Sequence, residues 1–220
     1  MELTFKKINF LGDSITEGHG SSGKGHIFCD LVGEAFGAEV RNYGIGGTRF
    51  ALQLPPDNDP NSRQNRNFCD RVAEMDPDAD AVVVFGGTND FGHGNAPLGK
   101  PTDRTYETFY GACHQLFSTL LAKYPTALIV VMTPLHRASE EKPRGDGNKS
   151  TDVCTLADYV RIIREVAEEY ALPVLDLFAF GGIQPKYEEQ RVRLCPDGLH
   201  PNDEGHKIIA RKLIAFLKNQ

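Results

Sequence analysis

Four short segments of this sequence carry residues that could together perform acyl transfer. Ser14 follows the apolar run of residues 8–11 in a Gly-Asp-Ser motif, so it lies directly after a predicted strand. A serine hydroxyl needs a neighbouring base to act as a nucleophile, and a histidine base needs a carboxylate to hold its tautomer. His200 and Asp197, three residues apart, are the candidates for these roles. The residues predict a Ser14–His200–Asp197 triad.

Attack on an ester carbonyl creates an oxyanion, which requires hydrogen-bond donors that already point at it. The candidate donors are the backbone N–H groups of Ser14 and Gly47 and the side-chain amide of Asn89. Glycine suits such a position because it lets the backbone approach closely and adopt unusual dihedral angles. Each motif alone has a simpler interpretation. Gly46-Gly47 and Asn89 are typical turn formers, and Asp-x-x-His could be a turn that caps the last helix.

The elements that must position these residues are predicted strands that alternate with amphipathic helices. Short runs of apolar residues predict strands over residues 7–11, 38–43, 79–85, 127–132 and 174–178. Apolar residues at helical spacing predict helices over residues 26–36, 68–75, 105–124, 156–170 and 202–217. Such alternation indicates parallel strands joined by right-handed crossovers. We therefore expect an α/β fold, a three-layer α/β/α sandwich that forms a single domain over residues 1–220. Its flavodoxin-like parallel sheet would contain about five strands in the order 2-1-3-4-5, although periodicity alone leaves this order open.

All strand-to-helix loops of such a sheet open at the same edge, where open α/β sheets bind their ligands. Ser14, Gly47 and Asn89 each follow a different predicted strand, and Asp197 and His200 precede the final helix. We therefore expect these five residues to meet in one crevice.

The four segments resemble the SGNH (GDSL-type) hydrolase superfamily of esterases and lipases. The matching blocks span residues 12–201 in the family's order, and they are Gly12-Asp13-Ser14, Asn42-x-Gly44-x-x-Gly47, Gly87-x-Asn89-Asp90 and Asp197-x-x-His200. The resemblance implies that Ser14 is the nucleophile, His200 the base and Asp197 its orienter. It also implies an oxyanion hole made by Ser14, Gly47 and Asn89. The sequence around Ser14 differs from the Gly-x-Ser-x-Gly elbow of the larger α/β-hydrolases.

The predicted function is hydrolysis of carboxylic esters through an acyl-serine intermediate. The small size of the domain, without an evident apolar lid segment, favours short acyl groups. Loops 48–67, 91–104 and 136–150 are polar, which suits a hydroxylated alcohol, above all an acetylated carbohydrate. The resemblance also allows a lysophospholipase or a lipid esterase similar to platelet-activating-factor acetylhydrolase. An alternative of another class is a flavodoxin-like module that binds a small ligand without catalysis. His93 and His136 lie on these loops and could contact substrate, although solvated loop residues are the simpler interpretation.

Composition limits the partners. The net charge is −6, and no Lys/Arg run of the kind that binds nucleic acid occurs. We expect a small-molecule ester as the partner, with no nucleic acid, no membrane span and no metal or cofactor.

The glycine-rich residues 18–25 nearly match a phosphate-binding loop, but Gly25 replaces the required Ser or Thr. Five scattered cysteines and no evident secretory signal predict reduced thiols in the cytoplasm.

Overall fold

A parallel sheet of five strands is the centre of the fold. The computed structural model describes residues 4–53, 59, 61–147, 149 and 154–220. The strands follow the order β2-β1-β3-β4-β5, with the bounds β1 Lys7–Gly12, β2 Glu39–Gly44, β3 Ala81–Phe85, β4 Leu128–Met132 and β5 Val174–Leu175. All pairings between neighbouring strands are parallel. The predicted α/β fold and its order 2-1-3-4-5 are confirmed.

Helices connect these strands and cover the sheet. They are α1 Ser14–Glu17, α2 Phe28–Phe36, α3 Phe68–Arg71, α4 Thr88–Gly92, α5 Phe109–Lys123, α6 Leu156–Glu169, α7 Leu177–Phe180, α8 Glu188–Leu194 and α9 Asp203–Leu217. The single helix predicted for residues 68–75 is α3 followed by a 3₁₀ turn, Val72–Glu74. Within the described residues, no helix is both long and apolar enough to cross a membrane.

Apolar residues cover both faces of the sheet, because successive residues of a strand point to opposite sides. On β3, Val82 and Val84 belong to the core that contains α5 and α6. Ala81, Val83 and Phe85 belong to the core that contains α2 and α9. All five side chains are buried. The sheet is therefore the middle layer of the predicted α/β/α arrangement.

The last strand is shorter than the sequence predicts. The strand predicted over residues 174–178 ends at Leu175. The carboxylate of Asp176 accepts the N–H of Ala179 at 3.0 Å and begins α7 at the next residue. An N-cap of this kind stabilises a helix by about 1 kcal/mol, which favours α7 over continuation of the strand.

The start of α5 also differs from the prediction. The apolar period predicts a helix from residue 105, whereas α5 begins at Phe109. The hydroxyl of Thr108 accepts the N–H of Gly111 at 3.1 Å and so forms the N-cap. A capping residue, rather than the apolar period, sets this boundary.

Candidate active site

The carboxyl ends of β1, β2 and β3 meet at one edge of the sheet. Gly12 of β1 pairs with Gly44 on one side and with Phe85 on the other. A Cβ atom on Gly44 would lie 2.2 Å from the backbone nitrogen of Glu17, so only glycine fits there. The close approach packs the end of β2 directly against α1, the helix that starts at Ser14.

Ser14 begins α1 and directs its side chain at His200. Asp13 is the N-cap, since its carboxylate accepts the N–H of Ile15 at 3.1 Å. Burial raises the pKa of Asp13 to about 7, and the Ile15 N–H opposes this rise. The Oγ atom of Ser14 lies 2.9 Å from Nε2 of His200. The predicted nucleophile and base are therefore within hydrogen-bond distance.

Asp197 holds both the ring and the backbone of His200. Its Oδ2 lies 2.6 Å from Nδ1 of the ring, and its Oδ1 accepts the backbone N–H groups of Leu199 at 2.8 Å and His200 at 2.7 Å. Partial burial by itself raises the pKa of Asp197, but these hydrogen bonds outweigh it and hold the pKa below its ordinary value. An ionised carboxylate only accepts hydrogen bonds. In the neutral ring the proton is therefore on Nδ1, which leaves Nε2 free to accept from Ser14.

The simpler interpretation of Asp197-x-x-His200, a cap for the last helix, is wrong. The N-cap of α9 is Asn202, whose side-chain oxygen accepts the N–H of Gly205 at 3.1 Å. Asp197 does form a tight turn with its own backbone, and this turn presents the ring of His200 to Ser14.

Asn89 and Gly47 lie on neighbouring segments of the same edge. Asn89 is on α4 and is 5% exposed; its Nδ2 donates to the carbonyl oxygen of Thr48 at 3.0 Å. Gly47 has a φ of 80°, the left-handed region that favours glycine. In the described part of the chain, no acceptor takes the N–H of Gly47. As the first residue of α1, Ser14 has an N–H outside the ladder of helical hydrogen bonds.

The four motif segments lie within one continuous family match. The model of the GDSL-like lipase/acylhydrolase family matches residues 10–208. The chain belongs to this family. The resemblance inferred from the four motifs is thereby confirmed. No curated protein matches the chain.

Solved structures share the fold of this GDSL-family chain over nearly its whole length. One is 34% identical with a TM-score of 0.84, and the match covers 100% of this chain and 99% of the other. A protein from Lactobacillus plantarum is 30% identical with a TM-score of 0.83, and 99% of each chain is covered. An acetylxylan esterase from Geobacillus stearothermophilus is 21% identical with a TM-score of 0.62, with 99% of this chain and 96% of that chain covered. This last likeness concerns the fold alone.

A buried arginine, which the sequence analysis missed, links the segments of this GDSL-family site. Arg71 is 2% exposed. Its Nη1 donates to the carbonyl oxygen of Gly12 at 3.1 Å and to the hydroxyl of Thr48 at 2.8 Å. Its Nη2 donates to the carbonyl oxygen of Tyr43. The ends of β1 and β2 are thus tied to the turn beside Asn89. An arginine on an amphipathic helix normally reaches solvent, so no sequence signal pointed to this role.

The two loop histidines are partly buried and have specific contacts, which differs from the simpler interpretation of freely solvated loop residues. His93 is half-buried, and its Nδ1 lies 2.8 Å from Nη1 of Arg49. His136 Nδ1 lies 2.8 Å from a carboxylate oxygen of Glu140, and its ring centroid is 3.9 Å from that of Phe178. The polar composition of these loops predicts exposure to solvent, so it gives no sign of these hydrogen bonds.

The C-terminal part of the loop predicted over residues 48–67 lies next to the site. Residues 54–58 and 60 lie outside the described residues. Arg63 pairs with the carboxylate of Glu17 on α1, and that carboxylate also accepts the N–H of Gly46 at 2.8 Å. The Arg63 and Glu17 side chains are 56% and 37% exposed. A charged, hydrogen-bonding pair therefore borders the crevice.

Proposed function

We propose that this chain is a serine hydrolase that cleaves carboxylic esters through an acyl-serine intermediate. The observation that carries the proposal is the hydrogen-bonded series Ser14–His200–Asp197, with distances of 2.9 Å and 2.6 Å. These residues come from opposite ends of the sequence, so we also propose that residues 1–220 act as one hydrolase domain.

In the proposed mechanism, His200 removes the hydroxyl proton as Oγ of Ser14 attacks the ester carbonyl. Asp197 stabilises the imidazolium that results. The imidazolium then protonates the departing alkoxide, so the C–O bond to the alcohol breaks and an acyl-serine remains. A water molecule that gives its proton to His200 attacks this acyl group, and the acid is released as Oγ recovers its proton.

We propose that the N–H groups of Ser14 and Gly47 and the Nδ2 of Asn89 stabilise the oxyanion in both steps. The support is their common location at the sheet edge and the absence of a described acceptor for the Gly47 N–H. Donors held in place before the reaction contribute most in a partly buried site. Asn89 fits this condition because it is only 5% exposed.

Replacement of Asn89 by alanine is expected to lower kcat by about 10²–10³ with little change in KM, because a donor to the transition state is lost. The measurement is the initial rate of p-nitrophenyl acetate hydrolysis. Asn219→Ala makes the same change on an exposed residue beyond α9 and should retain the wild-type rate. Full activity of Asn89→Ala would show that Asn89 has only a structural role.

For the substrate, we propose short acyl groups on a hydroxylated alcohol, with O-acetylated carbohydrate as the leading class. A small cavity of about 10 Å³ lies beside Ile15, the residue after the nucleophile, and is also lined by Thr88 and Leu199. This volume holds about one water-sized group, such as the methyl of an acetyl group, which supports a small acyl group. The exposed Arg63–Glu17 pair supports a polar alcohol. The acetylxylan esterase that shares the fold is consistent with this class.

The chain-length preference tests this substrate class. For p-nitrophenyl esters from acetyl to dodecanoyl, kcat/KM should be highest at acetyl and fall at least about tenfold by octanoyl, because a long acyl chain exceeds the pocket. Acetate release from acetylated xylo-oligosaccharides, compared with fatty-acid release from lysophosphatidylcholine, then separates sugar from lipid esters. A maximum at long chains would contradict the proposal and favour the lipid esterase alternative.

A further inference from the structure

The side-chain amide of Asn89 is held at both ends. Its Nδ2 donates to the carbonyl oxygen of Thr48 at 3.0 Å. Its Oδ1 lies 3.2 Å from Nε2 of His93. An amide in the reverse orientation would direct its oxygen at the oxyanion, where negative charge repels it. The function of Asn89 as a donor therefore depends on whatever fixes its orientation.

The partner of His93 determines which hydrogen bond its ring makes to this amide. Nδ1 of His93 lies 2.8 Å from Nη1 of Arg49. A guanidinium has donors but no acceptor, so Nδ1 must be the unprotonated nitrogen and Nε2 must carry the proton. The Nε2–H then donates to Oδ1 of Asn89, while the carbonyl of Thr48 accepts only from Nδ2. The contact with Thr48 and the contact with His93 therefore require the same orientation of the Asn89 amide.

The surroundings of His93 keep its ring neutral. Burial and the charge of Arg49 lower the pKa of His93 to about 4. The other charged groups that act on it are Arg137 and Lys149, which also lower the pKa, and Asp146, which raises it. A second proton on Nδ1 would face the Arg49 guanidinium at hydrogen-bond distance. The ring therefore stays in the Nε2–H tautomer at neutral pH.

The same contacts join the two segments that carry oxyanion donors. Asn89 and His93 are four residues apart, on α4 and at its C-cap, where their side chains share one face. Arg49 lies two residues after Gly47 and is 1% exposed. Two hydrogen bonds, from Asn89 to Thr48 and between Arg49 and His93, thus cross from the glycine turn to α4. They fix the Asn89 amide relative to the Gly47 N–H.

We propose that His93 is a positioning residue for the ester hydrolysis proposed above, on which this inference rests. Its Nε2–H, directed by Arg49, holds the Asn89 amide with an N–H aimed at the oxyanion. His93 does not touch the reacting atoms. It acts through Asn89, so its removal should affect kcat and leave KM nearly unchanged.

Two variants of similar size separate this role from packing. His93→Gln places an NH₂ group near the position of Nε2 and can still donate to Asn89. His93→Asn places its amide near the position of Nδ1, so it contacts Arg49 but does not reach Asn89. We expect kcat to fall about 10–100-fold in His93→Asn and to stay within about threefold of wild type in His93→Gln. His26→Asn, on an exposed histidine, is the matched control.

A double-mutant cycle with Asn89→Ala provides the sharper test. If His93 acts through Asn89, His93→Asn should have no further effect on kcat in the Asn89→Ala background. Equal losses in both backgrounds, or equal losses in His93→Asn and His93→Gln, would overturn the inference. Circular dichroism and thermal melting show whether each variant is folded.

Nitrogen NMR of the wild-type protein tests the inference without turnover. In protein with ¹⁵N-labelled histidine, the signals of His93 are identified by their absence from the spectrum of His93→Gln. In the wild type, these signals should be those of a neutral ring with its proton on Nε2 from about pH 8 to about pH 5. A Nδ1–H tautomer, or protonation of the ring near its ordinary pKa, would overturn the inference. Wild-type protein that cleaves no ester would instead contradict the proposed function, so the two failures are distinguishable.

Discussion

Replacement of Ser14 by alanine is expected to reduce kcat for p-nitrophenyl acetate by about 10⁴–10⁶. The change removes the Oγ atom that lies 2.9 Å from Nε2 of His200, so no acyl-serine can form. The N-cap bond from Ile15 to Asp13 does not involve this side chain. We therefore expect the variant to fold like the wild type.

The measurement is the initial rate of ester hydrolysis by each purified protein, with a thermal melt to show that it is folded. Ser118→Ala is the matched control, because Ser118 is an exposed serine of α5. It should hydrolyse the ester at the wild-type rate. Hydrolysis by Ser14→Ala within about tenfold of the wild type would exclude Ser14 as the nucleophile.

Replacement of Asp197 by asparagine should lower kcat by up to about 10⁴. The structure gives a specific reason. Oδ1 of Asp197 accepts two backbone N–H groups, from Leu199 and His200. The amide oxygen of an asparagine is needed at that position, so its NH₂ group would face Nδ1 of the ring. Nδ1 would then become the acceptor, and Nε2 would carry a proton and could not take one from Ser14.

The rate of p-nitrophenyl acetate hydrolysis again measures this effect, with Asp70→Asn as the control that removes an exposed carboxylate of α3. We expect Asp70→Asn to behave like the wild type. A loss of less than about tenfold in Asp197→Asn would contradict tautomer control by this carboxylate. Another group would then have to orient the ring.

The parallel sheet and the meeting of the four segments could be predicted from the sequence, for a physical reason. Buried parallel strands appear as unbroken apolar runs, as in Val82-Val83-Val84. The residue after each run must lie at the same sheet edge. Ser14, Gly47 and Asn89 are therefore located by their order after strands, without knowledge of any side-chain contact.

The contacts that orient these residues could not be predicted in the same way. Arg71 and Arg49 donate to groups in distant segments, and neither lies in a motif. Their partners depend on how the helices cross the sheet, which local periodicity does not encode. The end of β5 before Asp176 could not be predicted from its apolar run, which indicates a strand but gives no sign of a helix cap. The Asp176 side chain caps α7, and this contact competes with continuation of the strand.

The proposed activation of Ser14 is most directly tested by reaction with a fluorophosphonate, followed by mass spectrometry of the peptides. We predict phosphonylation at Ser14 in the wild-type protein and none in Ser14→Ala, because only an activated serine attacks phosphorus at a useful rate. An unlabelled wild-type protein, or a label on another residue, would contradict the proposed mechanism. The first of these results would favour a module that binds a small ligand at the same sheet edge without catalysis.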